Sequence, residues 1–225
     1  MTTQEASAIR SKPIDLSKQY SDKEELANGI SHGLGIVAGI LALIFSINKG
    51  WGHLNNIQLT GVIVYCFSII LLFLCSTLYH SVKDPRLKHK LKIADHCAIY
   101  FLIAGTYTPL MLIEFGGDKA SIMLAAIWGI ALGGVLFKTI FIHRFKAFSV
   151  ILYLTMGWLC MLVLEDLIAA MTPLGFQLLL LGGLFYSVGV IFYVVKRIPY
   201  NHAIWHLFVL AGALSHFLCV YLTVI

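Results

Sequence analysis

The sequence predicts an all-α integral membrane protein: a seven-transmembrane-helix bundle with its N-terminus in the cytoplasm and its C-terminus outside. Two observations predict this fold class. Of the 225 residues, 59% are hydrophobic and only 12% are charged, a composition that soluble globular domains do not have. The lysines and arginines are also distributed unevenly among the connections between the apolar stretches, as the positive-inside rule describes.

Seven apolar stretches are long enough to cross a bilayer, because a hydrocarbon core of about 30 Å requires roughly 20 residues of helix. We place the spans near residues 29–48, 59–82, 93–114, 121–143, 148–168, 176–195 and 201–224. The connections between them are short. We therefore expect a polar cytoplasmic N-terminal segment, residues 1–28, followed by one transmembrane domain, residues 29–225.

Local signals refine the first and third spans. Ser21 followed by Glu24 fits a capping box, so the first helix should begin before the chain enters lipid. Pro109 lies inside the third span and predicts a kink there. Gly35 and Gly39 belong to a small-xxx-small pattern in the first span, which predicts close helix packing.

The basic residues give the orientation. With seven spans, the N-terminus and the connections after spans two, four and six share one side of the membrane. All but two of the 16 Lys and Arg fall there, the exceptions being Lys49 and Lys119. The basic residues on that side are Arg10, Lys12, Lys18, Lys23, Lys83, Arg86, Lys88, Lys90, Lys92, Lys138, Arg144, Lys146, Lys196 and Arg197. This side should be cytoplasmic, and the same distribution argues against a nucleic-acid footprint.

The polar residues inside the spans then converge at one depth. His80 lies at the cytoplasmic end of span two, Asp95 at the start of span three, and His202 and His206 at the start of span seven. Ser76 lies one helical turn deeper than His80. Ionisable groups inside a membrane are costly and generally functional, so we expect these five residues to form one site.

Their spacing favours a metal. His202 and His206, at i and i+4, share one helix face about 6 Å apart. Together with His80 they supply three imidazoles from two helices, which is the donor set of a catalytic zinc site that leaves one position for water. Asp95 would act on that water as a general base or orient a ligand.

Several residues keep a simpler interpretation. An interfacial histidine taken alone is more often hydrogen-bonded or snorkelling than a ligand. His32 lies at similar depth and would either orient a ligand or pack against the glycines. His96 should face the site less well than Asp95, since adjacent helical residues point about 100° apart. The five cysteines are interpreted as small core residues; they are Cys66, Cys75, Cys97, Cys160 and Cys219.

The stretches that carry these residues resemble the bacterial hemolysin III family, part of the progestin and adipoQ receptor superfamily, which is related to alkaline ceramidases. They are "EELANGISHGLG" at 24–35, "STLYH" at 76–80, "DHCAIYFLIAGTYTP" at 95–109 and "HAIWHLFVLAG" at 202–212. The resemblance implies a zinc site at the cytoplasmic side of the bundle and a bacterial inner-membrane location. It also implies that His80, His202 and His206 are the ligands, with Ser76 and Asp95 beside the metal.

We therefore expect a zinc-dependent membrane hydrolase of a lipid amide or ester, with Asp95 and Ser76 as catalytic residues and a membrane lipid as substrate or ligand. The alternative is a non-enzymatic sensor or regulator of membrane state in which Zn²⁺ is structural. A third hypothesis is a transporter or proton relay. It is disfavoured because no chain of ionisable groups continues towards the outer face.

Overall fold

A computed structural model describes residues 20–141 and 146–225, and within those residues helices joined by short connections are the only regular secondary structure. Seven stretches are long and apolar enough to cross a membrane, as predicted. They are Asp22–Gly50, Asn56–Ser81, Pro85–Phe115, Gly117–Phe141, Ala147–Ala170, Pro173–Val194 and Asn201–Val224. Some predictions fall outside the described residues: most of the segment 1–28, the end of the fourth span, and Arg10, Lys12, Lys18 and Arg144 with its neighbour His143.

The first helix, α1 (Asp22–Gly50), begins with the predicted capping box. The Ser21 hydroxyl accepts from the Glu24 amide at 3.3 Å, and the Glu24 carboxylate accepts from the Ser21 amide at 2.9 Å. Both partners satisfy groups that a helix N-terminus otherwise leaves unpaired. The cap fixes a helical turn ahead of the apolar stretch, and that turn carries residues of the site described below.

Helices α2 (Asn56–Ser81) and α3 (Pro85–Pro109) form a hairpin whose tight connection leads into α3 through Asp84, which accepts from the Leu87 amide at 2.8 Å. Beyond Pro109 the third span continues as a wider π-helical turn, Leu110–Phe115. Proline lacks an amide hydrogen and crowds the preceding turn. The structure thus widens the helix at the position where the sequence predicts a kink.

After α4 (Gly117–Phe141), the fifth span departs from the single helix expected at 148–168. It consists of α5 (Lys146–Gly157), a 3₁₀ turn (Leu159–Val163) and α6 (Leu164–Ala170). The Tyr107 hydroxyl contacts this break: it lies 3.0 Å and 3.1 Å from the carbonyl oxygens of Met156 and Gly157, and it accepts from the Cys160 amide at 2.9 Å. A break inside a membrane is tolerated when such groups find partners within the protein.

Helices α7 (Pro173–Val194) and α8 (Asn201–Cys219) form the last hairpin. Tyr200 adopts a left-handed conformation with φ of 54° immediately before α8. The side-chain amide of Asn201 donates to the Phe192 carbonyl at 2.7 Å. This link brings the start of α8 back beside the end of α7.

The first helix packs against both α2 and α8. A Cβ atom at Gly35 would lie 2.7 Å from the Phe73 ring, and one at Gly39 would lie 2.9 Å from Ile70. The predicted glycine-mediated packing of the first span is therefore confirmed. The outer surface of the bundle is apolar and exposed, as lipid contact requires; Ile122 on the fourth span and Leu162 on the fifth are examples.

Candidate metal centre

Three buried histidines converge at the end of the bundle where α2 ends and α3 and α8 begin; we call this the histidine end. His80 lies in the last turn of α2, whereas His202 and His206 lie one turn apart on α8. Their candidate ligand atoms are all within 4.8 Å of one another. The ring centroids are 5.1 Å apart for His80 and each partner and 4.6 Å apart for the α8 pair. The predicted triad is thus a cluster in the fold.

The first ligand candidate is oriented by a carboxylate. His80 Nδ1 lies 2.6 Å from Oε2 of Glu25 on α1, and Glu25 Oε1 lies 2.9 Å from Lys88 Nζ on α3. Since a carboxylate accepts, we assign the hydrogen to His80 Nδ1, which leaves Nε2 as the bare nitrogen. A carboxylate behind a histidine in this way is a common support for a metal ligand.

The second ligand candidate is oriented by the backbone of α1. His206 Nδ1 lies 3.2 Å from the Asn28 carbonyl oxygen and 3.1 Å from Ser31 Oγ. The Ser31 hydroxyl already donates to that carbonyl, so the histidine donates through Nδ1 and presents Nε2 to the cluster. His32 stacks on His206 with ring centroids 3.5 Å apart and planes within 8°.

The donor set fits a metal ion. Among the described residues, no protein group hydrogen-bonds to His80 Nε2 or to either ring nitrogen of His202, although all three atoms are buried. Imidazole nitrogens bind zinc at about 2.0–2.1 Å, so three nitrogens within 4.8 Å of one another can share one ion. Imidazole also suits copper, iron and nickel. The cluster of His80, His202 and His206 can hold a metal ion.

Ser76 and Asp95 lie on neighbouring helices beside this cluster. Both line the cavity that His202 and His206 also line, and among the described residues no protein group hydrogen-bonds to the buried Ser76 hydroxyl. His96 lines the same cavity, but its Nδ1 lies 2.9 Å from the Lys92 carbonyl oxygen and 3.7 Å from Asp95. His96 Nδ1 is therefore engaged by its own helix, although His96 and Asp95 both share the cavity wall with His202 and His206.

The cavity, about 360 Å³ in volume, runs from this site into the middle of the bundle. Its walls come from α2, α3 and the last four helices, with His32 of α1 at the histidine end. Beyond the histidine end most of the lining residues are apolar, for example Leu110, Leu167 and Phe176. The volume lies within the range of roughly 300–1,000 Å³ typical of small-ligand sites.

Sequence reasoning missed the contribution of α1. Glu25, Asn28 and Ser31 all contact a histidine of the cluster, and the Tyr20 ring covers His202 with centroids 4.8 Å apart. The sequence does contain a pattern that indicates this contribution: residues 25, 28 and 32 follow an i, i+3, i+7 spacing that puts them on one helix face. Because polar residues inside membrane spans are generally functional, this face could have been assigned to the site.

The sequence was compared with known proteins. The profile of the family described as "Haemolysin-III related" matches residues 20–217. "Hemolysin-3 homolog" of Bacillus subtilis (strain 168) is 45% identical over 201 residues, which cover 89% of this chain and 94% of that protein. "Hemolysin-3" of Bacillus cereus is 46% identical over 198 residues, covering 88% and 90%. "Monocyte to macrophage differentiation factor" of Homo sapiens is 31% identical over 207 residues, covering 88% and 83%.

These matches confirm the resemblance that the sequence motifs indicate. The family match covers most of the chain and all five predicted site residues, and the two Bacillus proteins align over nearly their whole length. The chain therefore belongs to the haemolysin-III-related family and, with its seven apolar spans, is a multi-pass bacterial membrane protein.

Proposed function

We propose that this protein is a zinc-dependent hydrolase of a lipid amide or ester whose reaction centre is the histidine cluster. One observation carries the proposal: a three-imidazole donor set, a partly buried carboxylate and a hydroxyl meet at the head of a long, mostly apolar cavity. The polar head supplies chemistry, and the apolar walls suit an acyl chain. A purely structural metal site would not require that cavity.

Zinc is the metal we propose for His80, His202 and His206. Three neutral imidazoles with one remaining position are typical of its catalytic sites. When bound, zinc supplies Lewis acidity that polarises a carbonyl group and makes water a stronger acid near neutral pH. Glu25 and the Asn28 carbonyl support this role because they hold His80 and His206 with Nε2 directed to the cluster.

Asp95 is the proposed general base. Its carboxylate would take a proton from the attacking water as the oxygen bonds to the substrate carbonyl carbon, and would pass that proton to the leaving nitrogen or oxygen as its bond to carbon breaks. Ser76 lies beside it and would donate a hydrogen bond to the carboxylate or to the developing oxyanion. Neither role requires a further cofactor.

The site should lie near the cytoplasmic face. The connections at the histidine end carry Lys83, Arg86, Lys196 and Arg197, whereas the opposite end carries Lys49 and Lys119. The positive-inside rule assigns the basic side to the cytoplasm. A lipid of the inner leaflet would then enter with its head towards the histidines.

The test uses purified protein in lipid nanodiscs, a panel of lipid amides and esters, and the variant Asp95→Asn. We expect turnover by the wild type and a loss of about 10²–10⁴-fold in kcat for Asp95→Asn, as removal of a general base typically costs, with metal content unchanged. Asp118→Asn, an exposed carboxylate at the opposite end, is the matched control. Wild-type turnover that never exceeds that of Asp95→Asn on any lipid would refute the hydrolase.

A structural role for zinc is the second candidate. The triad joins α2 to α8, and its supporting contacts add α1, so a bound ion would tie the two ends of the helical sequence together. If the protein is a sensor of this kind, cells that carry Asp95→Asn should show the wild-type phenotype, and cells that carry His80→Ala should show the phenotype of cells without the protein. If the protein is a hydrolase, both variants should show the phenotype of cells without the protein.

A further inference from the structure

A second polar position lies in the wall of the cavity, away from the histidine cluster. Tyr186 on α7 and His216 on α8 both line the cavity. Their rings meet edge to face with centroids 5.4 Å apart. His216 follows His206 by ten residues, which at 1.5 Å per residue puts it about 15 Å farther along α8.

Glycines on the facing helices make room for these two rings. Gly182 on α7 lies directly under the His216 ring, where a Cβ atom would collide with it. Gly212 on α8 lies under the Tyr186 ring in the same way, and a Cβ atom there would lie 2.8 Å from the ring. Each helix thus accommodates the aromatic side chain of the other, and the pair is held in one arrangement.

The hydrogen-bonding capacity of the pair can be read from its contacts. His216 Nε2 lies 3.1 Å from the Leu179 carbonyl oxygen, so Nε2 carries the hydrogen and Nδ1 is a bare acceptor. Within residues 20–141 and 146–225, no protein group hydrogen-bonds to His216 Nδ1 or to the Tyr186 hydroxyl, and both atoms are buried. Buried polar atoms of this kind are rare because leaving them unsatisfied is costly.

The two atoms together call for a group that can both donate and accept a hydrogen bond. A hydroxyl can donate to His216 Nδ1 while accepting from the Tyr186 hydroxyl, whereas a carbonyl oxygen can only accept and a plain methylene chain does neither. Other polar side chains of the wall away from the histidine cluster, such as Thr106, Tyr107 and Ser187, already hydrogen-bond to backbone carbonyls. We propose that Tyr186 and His216 form a hydrogen-bonding subsite for a hydroxyl group carried on the chain of a lipid that occupies the cavity.

This proposal rests on the part of the proposed function that places a lipid chain in the cavity, but not on its hydrolysis. It predicts the position of the hydroxyl as well as its presence. With the lipid head at the histidine cluster, the hydroxyl should lie about 15 Å along the chain, as the rise of α8 dictates. A hydroxyl close to the head or at the chain end would miss the pair.

The test measures binding by purified full-length protein in detergent micelles. The probes are fatty acids of one length that carry a single hydroxyl at successive chain positions, with the unsubstituted acid as reference, each displacing a fluorescent fatty acid. We expect the hydroxyl near 15 Å to bind about threefold to tenfold more tightly than the reference, the value of one or two good hydrogen bonds. Tyr186→Phe, which removes only the oxygen, should reduce this preference, since the hydrogen bond to His216 Nδ1 would remain.

Tyr193→Phe is the matched control, since it removes a hydroxyl from the cavity wall near His202 instead; it should keep the preference. Equal affinities along the wild-type series, as expected if water alone satisfies the pair, would overturn the subsite, and so would a preference unchanged in Tyr186→Phe or no fatty-acid binding at all. A clear positional preference without turnover of any lipid would instead uphold the subsite and count against the hydrolase.

Discussion

Oε2 of Glu25 lies 2.6 Å from Nδ1 of His80, so a residue of the first span fixes the orientation of a histidine on the second. The other carboxylate oxygen contacts Lys88 on the third span at 2.9 Å. Glu25 thus connects three helices behind one candidate ligand. The contribution of this contact to metal affinity can be measured without any assay of turnover.

Glu25→Ala should weaken metal binding by about 10–100-fold, the usual cost of removing the partner that orients a ligating histidine. Competition between the purified protein and a zinc chelator measures this directly. Asp22→Asn is the matched control, because it removes an exposed carboxylate from the same first turn of α1. Equal zinc affinity in Glu25→Ala and wild type would show that the contact does not support a metal ligand.

His202→Ala should remove about one zinc ion per chain, since three-imidazole sites rarely hold the ion with two. Elemental analysis of purified protein gives the metal content of wild type and variant side by side. His53→Ala changes an exposed histidine in the connection between α1 and α2 and should leave the content unchanged. Equal zinc in His202→Ala and wild type would exclude this residue as a ligand.

Gly35→Ala should destabilise the bundle by about 1–3 kcal/mol, the usual cost of overpacking, because the new Cβ would lie 2.7 Å from the Phe73 ring. Thermal unfolding of the purified protein measures the change. Gly33→Ala provides the comparison on the same helix: its Cβ would meet only Thr77, at 4.0 Å, and alanine is the better helix former. Gly33→Ala should therefore be neutral or slightly stabilising, and an equal loss in both variants would contradict the packing described.

Tyr107→Phe should destabilise the fifth span by about 1–3 kcal/mol, because three backbone groups at its break would lose their partner inside the membrane. Hydrogen exchange at residues 157–163 should accelerate relative to the rest of the chain. Tyr221→Phe, on the last turn of the seventh span, controls for loss of a tyrosine hydroxyl elsewhere. Unchanged exchange in Tyr107→Phe would mean that the break does not depend on this side chain.

The spans and the histidine cluster were predictable because both depend on one-dimensional properties. Span length follows from the thickness of a bilayer. The common depth of His80, His202 and His206 follows from counting residues along spans that alternate in direction. The i, i+4 spacing of His202 and His206 needs no tertiary information. These properties were sufficient to bring residues more than 120 positions apart into one predicted site.

The support from α1 was harder to predict because it depends on how each helix is rotated about its own axis. Glu25 reaches His80 only because Gly35 and Gly39 allow α1 to approach α2 closely. The break in the fifth span carries no proline, and its only local signal is Gly157; its partner Tyr107 is 50 residues away in sequence. Such contacts are specified by tertiary packing rather than by any local pattern.

The order of the helices along the chain has a consequence for biosynthesis. His80 enters the membrane with the second span, whereas His202 and His206 belong to the seventh, which the ribosome delivers after the other six. Until then the nascent protein has only one of the three histidines. The metal centre is therefore the last part of the bundle to form, and a chain arrested before α8 can reach the bilayer but cannot assemble the site.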